Sequence, residues 1–405
     1  MSSQRRIIIV GGSLGGLFAA NLLHRAGWDV HVYERVAEEL EGRGAGIVTH
    51  PELIDTLHAA GVPEATDIGV TVSERVTLAR DGSVAGRHAL AQVLTAWGRM
   101  YQVLKAAFPA DRYHNGHQLE ALQQGADAVV ARFTNGAAAE AELLVAADGI
   151  RSTVRQRLLP QVRPVYAGYV AWRGLVDEAA LSERTRRELC PFFAFGLPPR
   201  EQMIAYPVAG PGHAVEPGRR RFNFVWYRPA DEASTLREMV TDATGKTWPE
   251  GIPPPLIRPE VLHGARQAAR EVLAPQFAEV VCKTEQLFFQ PIFDLESPSL
   301  AFGRVALLGD AAFVARPHCG MGVTKAAGDA MSLVRALSAD AEVPGALRAY
   351  EAERLRFGES IVTHARALGA YMQAQLLTAD ERAMAERYRS TEAVMRETAV
   401  PPAMH

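Results

Sequence analysis

Residues 6 to 34 leave this chain few architectures to choose from. Arg6-Ile-Ile-Ile-Val10 is a short run rich in β-branched residues, as expected of a strand buried on both faces of a parallel sheet. Gly11-Gly-Ser-Leu-Gly-Gly16 follows without a spacer. Leu17, Ala20, Leu22 and Leu23 then recur at helical spacing until Gly27. A second apolar run, Trp28 to Tyr33, ends on Glu34. Strand, glycine turn, helix, strand and terminal acid make one βαβ unit, so the chain must contain an α/β sheet.

The same unit has the mechanics of a dinucleotide site. Glycines permit a tight turn and close backbone approach, and a helix N-terminus faces the pyrophosphate. Glu34 can accept hydrogen bonds from ribose hydroxyls and would repel a 2′-phosphate. In the G-x-G-x-x-G register the outer positions are Gly11 and Gly16, but Ser13 occupies the middle one; Gly12 and Gly15 add freedom around it. FAD and NAD both remain open at this point.

Composition removes whole classes of function. With 405 residues, and about 150 per domain as a prior, two or three units are expected. Hydrophobic residues at 48% and charged residues at 22% exclude disorder as the main state. Lys plus Arg number 43 and Asp plus Glu 46, a balance of −3 that offers no basic excess for nucleic acid. No apolar run approaches the ~18 residues of a membrane span, and Ile7 to Val10 is too short for a signal-peptide core. Cys190, Cys282 and Cys319 are far apart, and the histidines show no ligand spacing, so neither disulfides nor a metal are expected. These features predict a cytoplasmic protein.

Two further strands end in carboxylates, where open α/β sheets bind ligands. Leu143 to Ala147 leads into Asp148-Gly149, and Gly303 to Leu308 leads into Gly309-Asp310. Arg316-Pro-His-Cys-Gly-Met-Gly322 follows, and the loop Pro317 to Gly322 could offer backbone N–H groups and a helix dipole to a flavin edge. Gly210-Pro-Gly212 follows no comparable strand, so no second dinucleotide fingerprint is present.

On the Gly-rich loop, the D-G motif and the later G-D motif, the chain resembles the class A, single-component FAD-dependent aromatic hydroxylases, over nearly its whole length. Gly42-Arg-Gly-Ala-Gly-Ile47, Tyr166 to Gly174, Ala205-Tyr-Pro207, Asn223 to Tyr227 and Arg316-Pro-His318 resemble the branch acting on hydroxylated N-heterocycles. The resemblance implies non-covalent FAD, NADH or NADPH as co-substrate, O2, and oxygen transfer from a flavin hydroperoxide to an electron-rich ring. The partner is then a small aromatic or N-heteroaromatic substrate, with no nucleic acid and no membrane, and the protein a monomer or homodimer. A phenolic or polyketide ring is the alternative substrate; a flavin-binding reductase that transfers no oxygen is the alternative activity.

The resemblance also assigns residues. Gly11, Ser13, Gly15, Gly16, Glu34 and Arg35 belong to the ADP end of FAD, and Arg43 reaches its pyrophosphate or ribose. Arg99 contacts the flavin side, Asp148 and Gly149 form the motif linked with both cofactors, and Asp310 binds the ribityl chain. Pro317, Gly320 and Gly322 border the flavin. Where the family has a His after G-D-A-A, this chain has Phe313. The candidate catalytic residues are His318, as a polar group beside the flavin, and Tyr206 and His50, near substrate, each weighed against a purely structural role. Arg173 is read first as pairing with Glu or Asp across a sheet, with an oxyanionic substrate as the alternative.

The expected fold is α/β: a Rossmann-like FAD-binding domain interleaved with a β-sheet substrate domain, plus a long C-terminal helix. Residues 1–73, 97–162 and 284–345 are assigned to the first, 74–96 and 163–283 to the second, and 346–405 to the C-terminal segment, with a loose tail from Pro401. Phe222, Phe224 and Trp226 alternate with Asn223 and Tyr227, so one of these faces should roof the pocket.

Overall fold

The computed structural model describes residues 5–40 and 46–402. Within it, strand Arg6–Val10, helix Leu14–Arg25 and parallel strand Asp29–Tyr33 form the βαβ unit. Ile7, Ile8 and Ile9 are fully buried, because helices cover both faces of a parallel sheet. Leu143–Ala146 pairs with Arg6–Val10 on the other side, and Val305–Leu307 pairs with Leu143–Ala146, all in parallel. Three carboxyl-terminal strand ends, at Glu34, Asp148 and Asp310, therefore come to one edge. Among the described residues this sheet has six strands, with Ala301–Phe302 and Tyr113–His114 at its margins.

This sheet cannot be completed before residue 307, so intervening segments must fold elsewhere. They form a second sheet in the order Phe313–Val314, Phe288–Glu296, Val165–Asp177, Arg221–Pro229, Gln202–Val208, Phe193–Gly196, Val70–Leu78, Val84–Ala96, Gly46–Val48. Its pairs are antiparallel except Phe193–Gly196 with Val70–Leu78. The interleaved architecture is thus a consequence of strand order.

The sheets and the expected boundaries differ in two places. Phe288–Glu296, expected on the flavin side of residue 284, pairs with Val165–Asp177 in the second sheet. Gly46–Val48 and the start of Val70–Leu78, expected within residues 1–73 of the flavin side, lie in that sheet too. Strand composition does not reveal a partner that lies over a hundred residues away.

Alternation in the second sheet divides its side chains. Trp172, Phe222, Phe224 and Trp226 pack with Ala265, Ala269, Phe277 and Val280 of helices Pro259–Val272 and Pro275–Lys283. Tyr169, Ala171, Ile204, Tyr206, Val225 and Tyr227 cluster on the opposite face. The face holding Tyr227 is the one that lines a large cavity.

Helix Val343–Gly369 is fastened by a buried Arg354–Asp329 pair at 2.7 Å. Asp329 also accepts the Gly309 N–H at 3.0 Å, which ties the G-D turn to helix Gly322–Ala339. Helices Ala379–Tyr388 and Thr391–Glu397 follow. No helix among the described residues is long and apolar enough to cross a membrane.

Candidate active site

The glycine turn is shaped by contact. Gly11 has φ +102°, and a Cβ there would meet the Ala147 carbonyl and lie 2.9 Å from Asp148 Cα. A Cβ on Gly16 would collide with the Gly11 carbonyl oxygen, and one on Gly15 would lie 3.3 Å from Ala326 Cβ and Leu308 Cδ2. Ser13 stands at the N-cap of Leu14–Arg25 in extended conformation, and its side chain makes no capping bond. The first-turn N–H groups keep their partial positive charge.

Glu34 is buried; its carboxylate accepts the Gly12 N–H at 2.8 Å and the Val36 N–H at 3.0 Å. Each oxygen retains a lone pair for a further donor. Gly11, Ser13, Glu34 and Arg35 line a cavity of about 250 Å³, together with Trp97. A second cavity of about 940 Å³ shares Arg35, Asp148, Gly149 and Arg151 with the first. The two make one elongated space running from the end of the second strand toward His318.

Polar atoms along this space await partners. Asp148 accepts the Thr153 N–H at 2.7 Å through one oxygen, while the other is buried with none. Burial raises this carboxyl above its ordinary value. The Asp310 side chain is 53% exposed to the larger cavity and lies 3.7 Å from Lys325 Nζ, itself buried. An unpartnered carboxylate oxygen, a turn no Cβ could enter and a free helix N-terminus fit an extended dinucleotide cofactor.

At the far end, the turn Pro317–Cys319 is closed by Gly320 at φ +67°. Pro317, His318, Gly320 and Gly322 all line the larger cavity. His318 Nε2 is 2.7 Å from the Tyr169 hydroxyl, and Nδ1 is buried without a partner. Burial, with Arg316 and Arg173 nearby, pushes the imidazole down to about 3, so it is neutral at physiological pH. Tyr227 lies 4.5 Å from His318 between ring centroids, and Tyr206 stacks on Phe193 at 5.0 Å. Both tyrosines line the cavity, and burial raises both phenols.

A third wall comes from the chain's end. Thr398 and Ala399 line the cavity, and the Ala399 N–H donates to the His318 carbonyl at 2.6 Å. Arg75, fully buried, donates to the carbonyls of Met395 at 2.8 Å and Thr398 at 2.6 Å. The expected loose tail therefore begins only after residues that build the site; Pro401 and Pro402 have no regular structure.

Some expected residues lie elsewhere. His50 is buried at the N-cap of Pro51–Ala59, its Nδ1 2.9 Å from Thr324 Oγ1, and it does not line the cavity. It sits one layer back: a Cβ on Gly320 would be 3.4 Å from His50 Cε1. Arg99 donates to the Asp67 carbonyl at 2.7 Å and lines neither cavity. Arg43 lies outside the described residues. Tyr169, Lys325, Thr398 and Ala399 were not singled out from sequence. Tyr169 and Tyr227 could have been found from strand alternation; Thr398 and Ala399 carry no local signal.

A family model described as FAD binding domain-like matches residues 166–294. The chain is 34% identical over 373 residues to 2,6-dihydroxypyridine 3-monooxygenase of Paenarthrobacter nicotinovorans, covering 91% of each chain. It belongs to the FAD-dependent aromatic hydroxylases. This hydroxylase is also 30% identical over 384 residues to an FAD-dependent urate hydroxylase of Klebsiella pneumoniae subsp. pneumoniae, covering 89% of this chain and 88% of that one. The solved structure of 2,6-dihydroxypyridine-3-hydroxylase from Arthrobacter nicotinovorans matches at TM-score 0.85 and 32% identity, over 95% of this chain and 96% of that one. The cofactor of this hydroxylase is FAD, with NAD(P)H as its co-substrate in keeping with the class.

Proposed function

We propose that this FAD-dependent hydroxylase acts on a hydroxylated N-heteroaromatic ring of the hydroxypyridine type, inserting one atom of O2. The observation that carries this reading is the makeup of the larger cavity's inner wall. Tyr206 and Tyr227 present hydroxyls between aromatic faces, beside a neutral His318 held by Tyr169, which suits a flat ring bearing several hydrogen-bonding atoms. The 34% identity to a 2,6-dihydroxypyridine 3-monooxygenase supports the ring class.

Gly11, Ser13, Glu34 and Arg35 would hold the ADP end of FAD, with Gly15 and Gly16 shaping the turn. Asp148 and Gly149 would flank its middle, and Asp310, with Lys325 behind it, the ribityl chain. Pro317, Gly320 and Gly322 would border the ring system. Bound FAD supplies electron transfer from NAD(P)H and activation of O2. The protein's part is to orient the ring and exclude water, which the apolar second sheet and the Thr398–Ala399 wall accomplish. His318 and the two tyrosines position the ring as neutral groups.

A substrate panel tests the reading. NAD(P)H oxidation by the holoenzyme should be stimulated by 2,6-dihydroxypyridine or 6-hydroxynicotinate, with a hydroxylated product found by mass spectrometry. Stimulation by simple phenols alone would overturn the ring class.

A further inference from the structure

Arg173 is a charged side chain on the substrate cavity with no partner among the described residues. It lies within Val165–Asp177, and its cross-strand neighbours are Val225 and Phe288. Neither side chain can accept a hydrogen bond, so an ion pair across the sheet does not account for it. Its Nε is buried and unpaired. The buried arginines behave differently. Arg75 and Arg155 donate to backbone carbonyls, and Arg220, Arg316 and Arg354 meet Glu178, Asp294 and Asp329 at 2.7–2.9 Å. Arg173 is half-buried, and its buried Nε has lost water without gaining an acceptor, a cost that a ligand bringing the anion recovers.

Alternation places Arg173 on the face of Tyr169 and Ala171, and it lines the cavity with Tyr206, Tyr227 and His318. The hydroxyls of Tyr206 and Tyr227 likewise make no hydrogen bond to another described residue. After burial, the charge of Arg173 is felt by all three rings. The other charges on this cavity are Arg35, Asp148, Arg151, Arg163, Glu250 and Asp310. Glu250 is paired with Arg151 at 2.8 Å, Asp310 faces Lys325, and Arg35, Asp148 and Arg151 belong to the junction with the smaller cavity. His318 is neutral and does not compete for an anion.

We propose that Arg173 determines substrate specificity by binding the ionised ring hydroxyl of the substrate, with Tyr206 and Tyr227 donating beside it. The inference rests on the ring class proposed above. An arginine in this position selects the anionic ring over its neutral form, and the anion is the electron-rich species that accepts an electrophilic oxygen. A guanidinium offers fixed, planar donors for an oxygen anion, which a lysine reproduces only as a point charge.

The test follows the ionisation of bound 2,6-dihydroxypyridine by ultraviolet absorbance, on FAD-loaded wild type, R173K and R173M. In wild type the ligand hydroxyl should titrate about one unit lower when bound than when free. R173M should abolish that shift and weaken binding of the ionised ligand about tenfold. R173K should keep part of both effects. The neutral 2,6-dimethoxypyridine should bind wild type and R173M alike, separating loss of charge recognition from misfolding. Equal affinity and equal ligand ionisation in wild type and R173M would overturn the proposal. If 2,6-dihydroxypyridine does not bind wild type, the ring class fails instead. The same comparison then moves to whichever phenol stimulates NAD(P)H oxidation, where an unaltered R173M overturns the role of Arg173.

Discussion

The Tyr169 hydroxyl and His318 Nε2 lie 2.7 Å apart, in a site where both side chains are buried. Burial keeps the phenol protonated, so it can donate to an imidazole held neutral down to about pH 3. A base whose folded value is depressed lowers stability in acid. Between about 3 and the ordinary 6.5 the unfolded chain binds the extra proton, so stability is complete above that window and falls as pH drops through it. Thermal melts of wild type and H318N between pH 7.5 and 4.5 check this. The wild type should lose more stability on acidification than the variant; parallel curves would contradict a depressed His318.

The turn carrying His318 is anchored by Arg316, 2.9 Å from Asp294 with both side chains buried, and Arg366 shares the same carboxylate at 3.1 Å. Removing one partner of a buried pair leaves an undercompensated charge. R316M should destabilise the fold by about 3 kcal/mol in denaturant unfolding, and R316M/D294N by less. A single variant within about 0.5 kcal/mol of wild type would show that Arg366 alone suffices.

Arg75 holds the chain's end against the cavity through two backbone carbonyls and Gln92 Oε1. R75M should raise KM for the ring substrate several-fold and increase NAD(P)H oxidation that yields no product, since the Thr398–Ala399 wall loosens. Product per NAD(P)H consumed is the measurement. An unchanged ratio with unchanged KM would mean the wall does not depend on this arginine.

At the glycine turn, G11A introduces a Cβ at φ +102° against the Ala147 carbonyl. Its FAD affinity should fall at least about tenfold, or 1.4 kcal/mol, read by flavin fluorescence on reconstitution. S13G should weaken FAD binding less than G11A does, because it brings no clash into the turn and the Ser13 side chain makes no capping bond that would be lost.

What could be read from sequence was local. Ile7 to Glu34, Asp148-Gly149 and Gly309-Asp310 each announce themselves within a few residues, because strand burial and turn glycines leave short-range patterns. Alternation within Phe222 to Tyr227 separated two faces but not which one meets the cavity; that was settled by helices Pro259–Val272 and Pro275–Lys283 covering the other. Arg173 looked like an ordinary cross-strand ion pair until Val225 and Phe288 proved to be its neighbours. Arg75 reaches Thr398 over 323 residues of chain, a contact no local pattern encodes. His50 seemed a substrate contact because it follows a glycine-rich turn, yet Thr324 holds it behind Gly320.

The central claim is oxygen transfer from O2 to a hydroxypyridine-type ring. Mass spectrometry of the product formed from 2,6-dihydroxypyridine under ¹⁸O2, with NAD(P)H and the FAD-loaded enzyme, tests it most directly. The product should be a trihydroxypyridine carrying one ¹⁸O atom. NAD(P)H oxidation with no labelled product, or a product labelled from water, would contradict it.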